Sequence, residues 1–231
     1  MSDAFSAAYS ALDARMKIVD VIANNLANAE TTGFKRDFGR ILESATGFDV
    51  GTAVDLSQGD LIATRNDLDV AIQGSGFFAV QTPQGVRYTR AGSFAISAGG
   101  DLVTKDGMPV LSTSDTPIHL GEGTLSIEDT GAVTVDGNQV GTLKLVNFKK
   151  TDGLEKEGLS RFRWSGSPQD VEDVPEPKVK SGHLEHSNVS SMNEMVHLMA
   201  AYRDFESVQR TVKTVMTDMN TKLIQELGKL S

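Results

Sequence analysis

Met195-Val196-His197-Leu198-Met199-Ala200-Ala201-Tyr202-Arg203-Asp204-Phe205 opens the stretch whose spacing decides the fold. Met195, Leu198, Tyr202, Phe205, Gln209, Val212, Met216, Met219 and Leu223 follow one another at 3-4-3-4-3-4-3-4, apolar at every step but Gln209. This is the a/d seam of a heptad repeat, a narrow apolar stripe along one side of a helix. Ser191 with Glu194 three residues on reads as a capping box, so the helix is expected to begin there. No Gly or Pro interrupts it before Gly228. A helix of roughly 36 residues is about 55 Å long, and a stripe of that length needs a cover.

The other end of the chain carries the matching stripe. Phe5, Tyr9, Leu12, Met16, Val19, Ala23 and Leu26 are spaced 4-3-4-3-4-3. Asn24, Asn25 and Asn28 weaken the helical preference, and Gly33 is the expected stop. The spacing predicts a helix over residues 3–29. The fold class expected is α+β: long N- and C-terminal helices pairing as a coiled coil, with a central all-β, hairpin-rich domain inserted between them.

The centre reads as β. Val70, Ile72 and Phe77-Phe78-Ala79-Val80 are strand material. Thr82-Pro83-Gln84-Gly85 suits a type I turn, and Asp106-Gly107 and Asp136-Gly137 are hairpin signals. Leu102 to Val110 aligns without gaps on Ala132 to Val140 with five identities, a repeated strand–turn–strand unit. The expected segments are an N-terminal axial helix at 1–33, a connector at 34–67, a β domain at 68–164, a Pro-, Ser- and acid-rich return linker at 165–190, and a C-terminal axial helix at 191–231.

The 231 residues carry a formal charge of −9 and no cysteine. The absence of cysteine rules out disulfides, thiol nucleophiles and cysteine-held metals. Residues 1–28 carry −1 and residues 191–231 are neutral, so residues 29–190 hold −8 of the −9. Net acidity argues against nucleic acid or an anionic membrane as partner. No apolar run approaches the ~20 residues of a membrane span. The first residues lack the basic and apolar regions of a cleaved secretory signal, so export by another route is expected.

Catalytic chemistry is not visible. Gly74-Ser75-Gly76 followed by Ala79 imitates a phosphate loop, but it leads into a strand rather than a helix and reads as a tight turn. His183, Glu185 and His186 read as solvated residues, having no further ligand candidates around them. Asp67/Asp69 and Glu128/Asp129 lack the spacing of a calcium loop. The expectation is no enzyme, no cofactor, no metal and no small-molecule substrate. The methionines of the last helix have two readings, ordinary packing or a surface that adapts to several neighbours.

Three stretches carry a resemblance. Val21 to Asn28 (with Asn24, Asn25, Leu26, Ala27 and Asn28), continuing through Thr31-Thr32-Gly33-Phe34-Lys35, is similar to the amino-terminal signature of bacterial flagellar rod and hook proteins. Leu68 to Phe78, with Gly74, Gly76 and Phe77, followed by Tyr88-Thr89-Arg90-Ala91-Gly92, resembles the start of that family's β domain. Ser181 to Val189, with Leu184, Glu185, Ser187, Asn188 and Val189, followed by Glu194-Met195-Val196 and Arg203 to Glu206, resembles its carboxy-terminal signature.

The resemblance implies a structural subunit of the basal-body rod, most like the proximal-rod members. It implies assembly through the terminal helices with copies of itself and other rod subunits, and export by the flagellar type III apparatus without cleavage. The alternatives are a distal-rod subunit or, in another class, a secreted coiled-coil stalk carrying a β binding module.

Overall fold

Strands outnumber helices. The computed structural model describes residues 2–44, 47–121, 123–158 and 160–227, with the backbone alone at 2–5, 44, 218–220 and 222–227. Among these residues there are seventeen strands and two α-helices. They form two units: Met1–Ala27, Arg36–Asp55 and Val189–Ser231 in the first, Asn28–Lys35 and Leu56–Asn188 in the second.

In the first unit, helix α1 (Ser2–Ala27) is followed by strands β1 (Asp37–Ser44) and β2 (Gly47–Val54). These pair antiparallel from Asp37↔Val54 to Ser44↔Gly47. Helix α2 (Ser191–Leu227) completes the unit. The segment after α1, without a clear period in the sequence, is therefore a hairpin, and α1 lies against it. A Cβ added at Gly39 would come within 2.6 Å of Ile18 Cδ1 and 3.6 Å of Val21 Cγ2, so the small residue lets helix and strand approach. Ser10 Oγ accepts from the Phe48 N–H at 3.2 Å.

The expected coiled coil is not formed. The helices meet at Arg15–Asp204 (3.4 Å) and Asn25–Glu194 (3.5 Å), but the heptad seam does not close between them. Tyr9, Met16, Met195, Tyr202 and Met216 are 66, 50, 51, 52 and 43% exposed, and Ala23 is exposed as well. Only alternate seam positions turn inward: Leu12, Val19 and Leu26 on α1, and Leu198, Phe205 and Val212 on α2. The side chains of Phe5, Met219 and Leu223 lie outside the described residues. Other inward positions include Ala14, Ile18, Val21 and Asn25 on α1, and Glu194, Ala201 and Val208 on α2. The physical reason is that α1 covers a hairpin as well as touching α2. Its buried surface is a broad face rather than the narrow seam of a two-helix coil. The fold is thus β-dominated, with α1 packed against both the hairpin and α2.

The capping box is also corrected. Ser190, not Ser191, caps α2: its Oγ accepts from the Asn193 N–H (3.4 Å) and its carbonyl from the Glu194 N–H (2.9 Å). The Glu194 carboxylate turns elsewhere, as described below.

The second unit begins with β3 (Leu61–Ala63), β4 (Val70–Ile72), β5 (Phe77–Thr82) and β6 (Gly85–Thr89), then β7 (Phe94–Ile96) and β8 (Leu102–Thr104). There follow β9 (Leu125–Ile127), β10 (Ala132–Val135), β11 (Asn138–Thr142), β12 (Leu145–Phe148), β13 (Leu154–Glu157) and β14 (Arg161–Trp164). The last are β15 (Val171–Asp173), β16 (Val179–Ser181) and β17 (His183–Glu185). Its largest sheet has the order β13-β14-β6-β5-β12-β15, and β9, β10 and β11 form a second. The acid-rich return segment is woven in, β15 pairing with β12, β16 with β4 and β17 with β3. Val70, Ile72, Phe78, Leu102, Ile118, Val133 and Leu143 are among the residues that fill the core. Beside it Phe77, Tyr88, Phe148 and Trp164 stack at centroid distances of 4.7 to 5.6 Å, and the Trp164 indole N–H donates to the Ser167 carbonyl at 2.9 Å.

The two copies of the repeat turn differently. Val135↔Asn138 is closed by Asp136 (φ 51°) and Gly137 (φ 79°), both left-handed as a type I′ turn requires. After Thr104 only Gly107 (φ 79°) is left-handed, and the Thr104 N–H donates to the Met108 carbonyl (2.8 Å) across a three-residue loop. A Cβ at either glycine would meet nothing within 4 Å, so the penalty for a side chain is purely conformational. Gly107→Val and Gly137→Val are each expected to destabilise the chain by about 1–3 kcal/mol. Chemical denaturation measures this, and two variants that unfold like the parent overturn the turn assignment.

Candidate functional site

The signature residues converge on one buried carboxylate. Glu185, at the end of β17, has no exposure to water, so it was misread as solvated. Its Oε1 accepts from Lys35 Nζ at 2.5 Å and from the Gly59 N–H at 3.1 Å, and its Oε2 from Arg90 Nη1 at 3.1 Å. Lys35 is equally buried and donates also to the Ser57 carbonyl at 2.6 Å. Gly33 gives its N–H to the Glu185 carbonyl at 2.9 Å. At φ 67°, with the Arg90–Ala91 backbone where a Cβ would stand, it has to be glycine. Gly92 is pressed against the Val70 carbonyl in the same way. Phe34 is buried under the Lys156 ammonium, 3.6 Å from its ring centroid. Burial pulls the Arg90 guanidinium below its ordinary pKa, while the Glu185 carboxylate pulls it up.

Other signature residues support this arrangement. Asn28 Oδ1 accepts from Thr31 Oγ1 at 3.0 Å, Thr89 Oγ1 donates to the Ser160 carbonyl at 2.8 Å, and Asn188 Nδ2 reaches the Ser57 carbonyl at 3.1 Å. Gly76, Phe77 and Ser187 are buried, Thr32, Tyr88 and Leu184 half-buried, and Gly74, Asn24 and Ala27 exposed. His186 is held outside the centre, its Nε2 3.1 Å from Glu30 Oε2.

A second buried carboxylate organises the first unit. Glu194 is 1% exposed and accepts from Arg36 Nε at 2.6 Å. Asn25, with no exposure, clamps residue 37: Oδ1 accepts from the Asp37 N–H and Nδ2 donates to the Asp37 carbonyl, both at 2.8 Å. Lys35 as the partner of Glu185, and Arg36 as that of Glu194, escaped sequence reasoning. Nothing in the spacing of residues 150 or 158 positions apart marks them as a pair.

Among the residues of α2 that do not turn inward is an apolar group. Met192, Met195, Val196, Met199 and Tyr202 lie at helical spacing on one exposed face, and Tyr9 and Met16 are exposed on α1. Met192, Met195, Met199 and Met216 are therefore not packed within the chain. Among the described residues no three His, Asp or Glu side chains are grouped to hold a metal, and no helix is long and apolar enough to cross a membrane.

Buried ion pairs that fix a β unit, with exposed apolar stripes on terminal helices, describe a scaffold that packs against other chains. Comparison with known proteins gives that scaffold a family. Residues 5–35 match the family described as "Flagella basal body rod protein", residues 71–135 the "Flagellar hook protein FlgE/F/G D1 domain", and residues 180–226 the "Flagellar basal body rod FlgEFG protein C-terminal". The flagellar basal-body rod protein FlgG of Buchnera aphidicola (subsp. Acyrthosiphon pisum) is 32% identical over 95% of this chain and 96% of its own. FlgF of Caulobacter vibrioides is 32% identical over 98% and 99%, and FlgF of Mesorhizobium japonicum is 30% identical over the whole of both chains. The chain belongs to the flagellar basal-body rod protein family. It is a structural subunit of the flagellar basal body.

Glu185→Gln removes the carboxylate that Lys35 and Arg90 share inside the β unit. It is expected to lower stability by about 3–5 kcal/mol, as when one partner of a buried pair is lost. Arg163→Ala, which breaks the exposed pair with Glu155, is expected to leave the unfolding midpoint where it was. Equal effects of the two in denaturant titrations would remove the special status of Glu185.

Proposed function

We propose that the chain is a proximal-rod subunit that packs against copies of itself and other rod subunits through the exposed faces of its terminal helices, and that it carries no enzymatic activity. The observation that carries this reading is the apolar stripe Met192, Met195, Val196, Met199 and Tyr202, left in water within one chain. Methionine is unbranched and polarisable, and so suits a face that meets neighbours of more than one sequence. A contact of one face with a different face on the next subunit, repeated without closing, builds a helical filament. The proximal subtype is the finer part of this reading; relatives named FlgF and FlgG match the chain alike, at 32% identity. Export through the flagellar type III apparatus without cleavage belongs to the same reading.

Met195→Asp and Tyr202→Asp test it. Both side chains are about half exposed, so the isolated variants are expected to melt as the parent does. In the rod, each would bury an unpaired carboxylate at every subunit, and cells carrying either variant are expected to lack flagella. Lys213→Arg, exposed and charge-preserving, is expected to swim normally and controls for export. Normal swimming of both Asp variants overturns the assignment of the helix faces.

A further inference from the structure

A cavity of about 470 Å³ opens in the β unit between residues 30–32, the end of β6, the turn after β8 and the start of β14. That volume lies within the range of ligand sites, roughly 300–1,000 Å³. The register explains the convergence. Arg161 pairs with Thr89 across β14 and β6, and Thr104 pairs with Phe94 across β8 and β7, which brings Lys105 level with Ser93.

The lining is polar and balanced in charge. Its ionised residues are Glu30 and Asp106 against Lys105 and Arg161, so the formal charge cancels. All four can be reached from water: the side chains of Glu30, Asp106 and Arg161 are 88, 52 and 30% exposed, and Lys105 is exposed. Arg161 and Asp106 hold each other, and Glu30 rests against His186 at 3.1 Å. The Lys105 ammonium has no partner among the described residues. Hydroxyls complete the set. Those of Thr31, Thr89 and Thr104 donate to Asn28 Oδ1, the Ser160 carbonyl and Asp106 Oδ1. Those of Thr32 and Ser160 have no partner among the described residues. Neither is a buried unpartnered atom, since Arg90 Nε is the one such atom there, so water reaches both.

This set selects one ligand class. An anion is favoured by surplus cations and a cation by surplus acids, and the lining has neither surplus. A lipid or an aromatic ligand needs apolar wall, and Ala91 is the one purely apolar side chain of the lining. A hydroxyl both donates and accepts, and is served where free donors stand beside carboxylates. An uncharged molecule with several hydroxyls therefore matches the cavity in volume, charge and mixture of donors and acceptors.

We propose that this cavity binds a neutral saccharide, with Thr32, Lys105 and Ser160 donating to its oxygens and Glu30 and Asp106 accepting from its hydroxyls. Such a ligand exists as a free sugar and as a stretch of a glycan polymer. The site lies inside one unit and is tested on the free chain, so its outcome does not depend on the rod reading.

The experiment follows the amide resonances of the ¹⁵N-labelled full chain while cellobiose, maltose or N,N′-diacetylchitobiose is added, with sodium phosphate as the anionic rival. At least one sugar is expected to move the Thr32, Lys105 and Ser160 amides together and saturably. The expected Kd is on the order of 1 mM, the affinity that a few hydrogen bonds of small net strength supply. Lys105→Met and Thr32→Val each remove a donor and keep the stem or the shape, and each is expected to weaken the binding about fivefold. The melting curve of Lys105→Met is expected to be unchanged. Lys150→Met, exposed and outside the cavity, is expected to bind as the parent does. Co-sedimentation with insoluble cellulose, starch and chitin separates the sources: retention identifies a glycan chain, and saturable binding of a disaccharide without retention identifies a free sugar. Amides that no sugar moves overturn the proposal, whether or not phosphate moves them. So does sugar binding undiminished in both variants.

Discussion

The carboxylate of Glu185, wholly removed from water, can be accommodated only if cations and N–H groups meet both of its oxygens. The groups that do so come from residues 35, 59 and 90, which the chain must therefore bring to the end of β17. Gly33 and Gly92 follow from the same constraint, because the backbone has to pass close enough for these bonds to form and a Cβ would collide. Loss of one partner is far more costly than formation of the pair is favourable. The arrangement therefore acts less as glue than as a condition on which segments may meet. Signature residues scattered from position 33 to position 185 are thus parts of one internal contact.

The first unit obeys the same rule at smaller scale. Glu194 is buried at the start of α2, where the positive end of the helix favours an acid, and Arg36 neutralises it. Asn25 ties the end of α1 to the start of β1 by pairing with the backbone of Asp37. With those contacts made, α1 serves the hairpin and α2 together, and half of each heptad stripe has no partner within the chain. An apolar stripe left in water is a liability in a free molecule. In the assembly proposed above, neighbours cover it.

The β unit has the opposite character. Most of its apolar residues are inside, with Ile62, Val86, Ile96 and Val140 exposed singly; its aromatic cluster is packed edge to face, and most of the net negative charge lies on the segment that contains it. Among the described residues, Arg90 Nε is the one buried side-chain polar atom without a hydrogen-bond partner. The proposed assembly through the helices fits this division, with the charge on the segment that holds the β unit.

Both helices, their extents to within a few residues, the strands around Phe77-Phe78 and the left-handed glycines 107 and 137 could be read from sequence, because each is set by local preference: periodicity, branching and turn conformation act over a few residues. The signature marked Glu185 and Asn25 as important without saying what they do. What only the tertiary structure decided is what meets what. Heptad spacing states that a helix has an apolar side, but not whether a helix or a hairpin will lie against it, and α1 took the hairpin as well. Composition counts charges, yet Lys35 finds Glu185 and Arg36 finds Glu194 across more than a hundred residues of chain, since burial of an ion is decided by the fold that surrounds it.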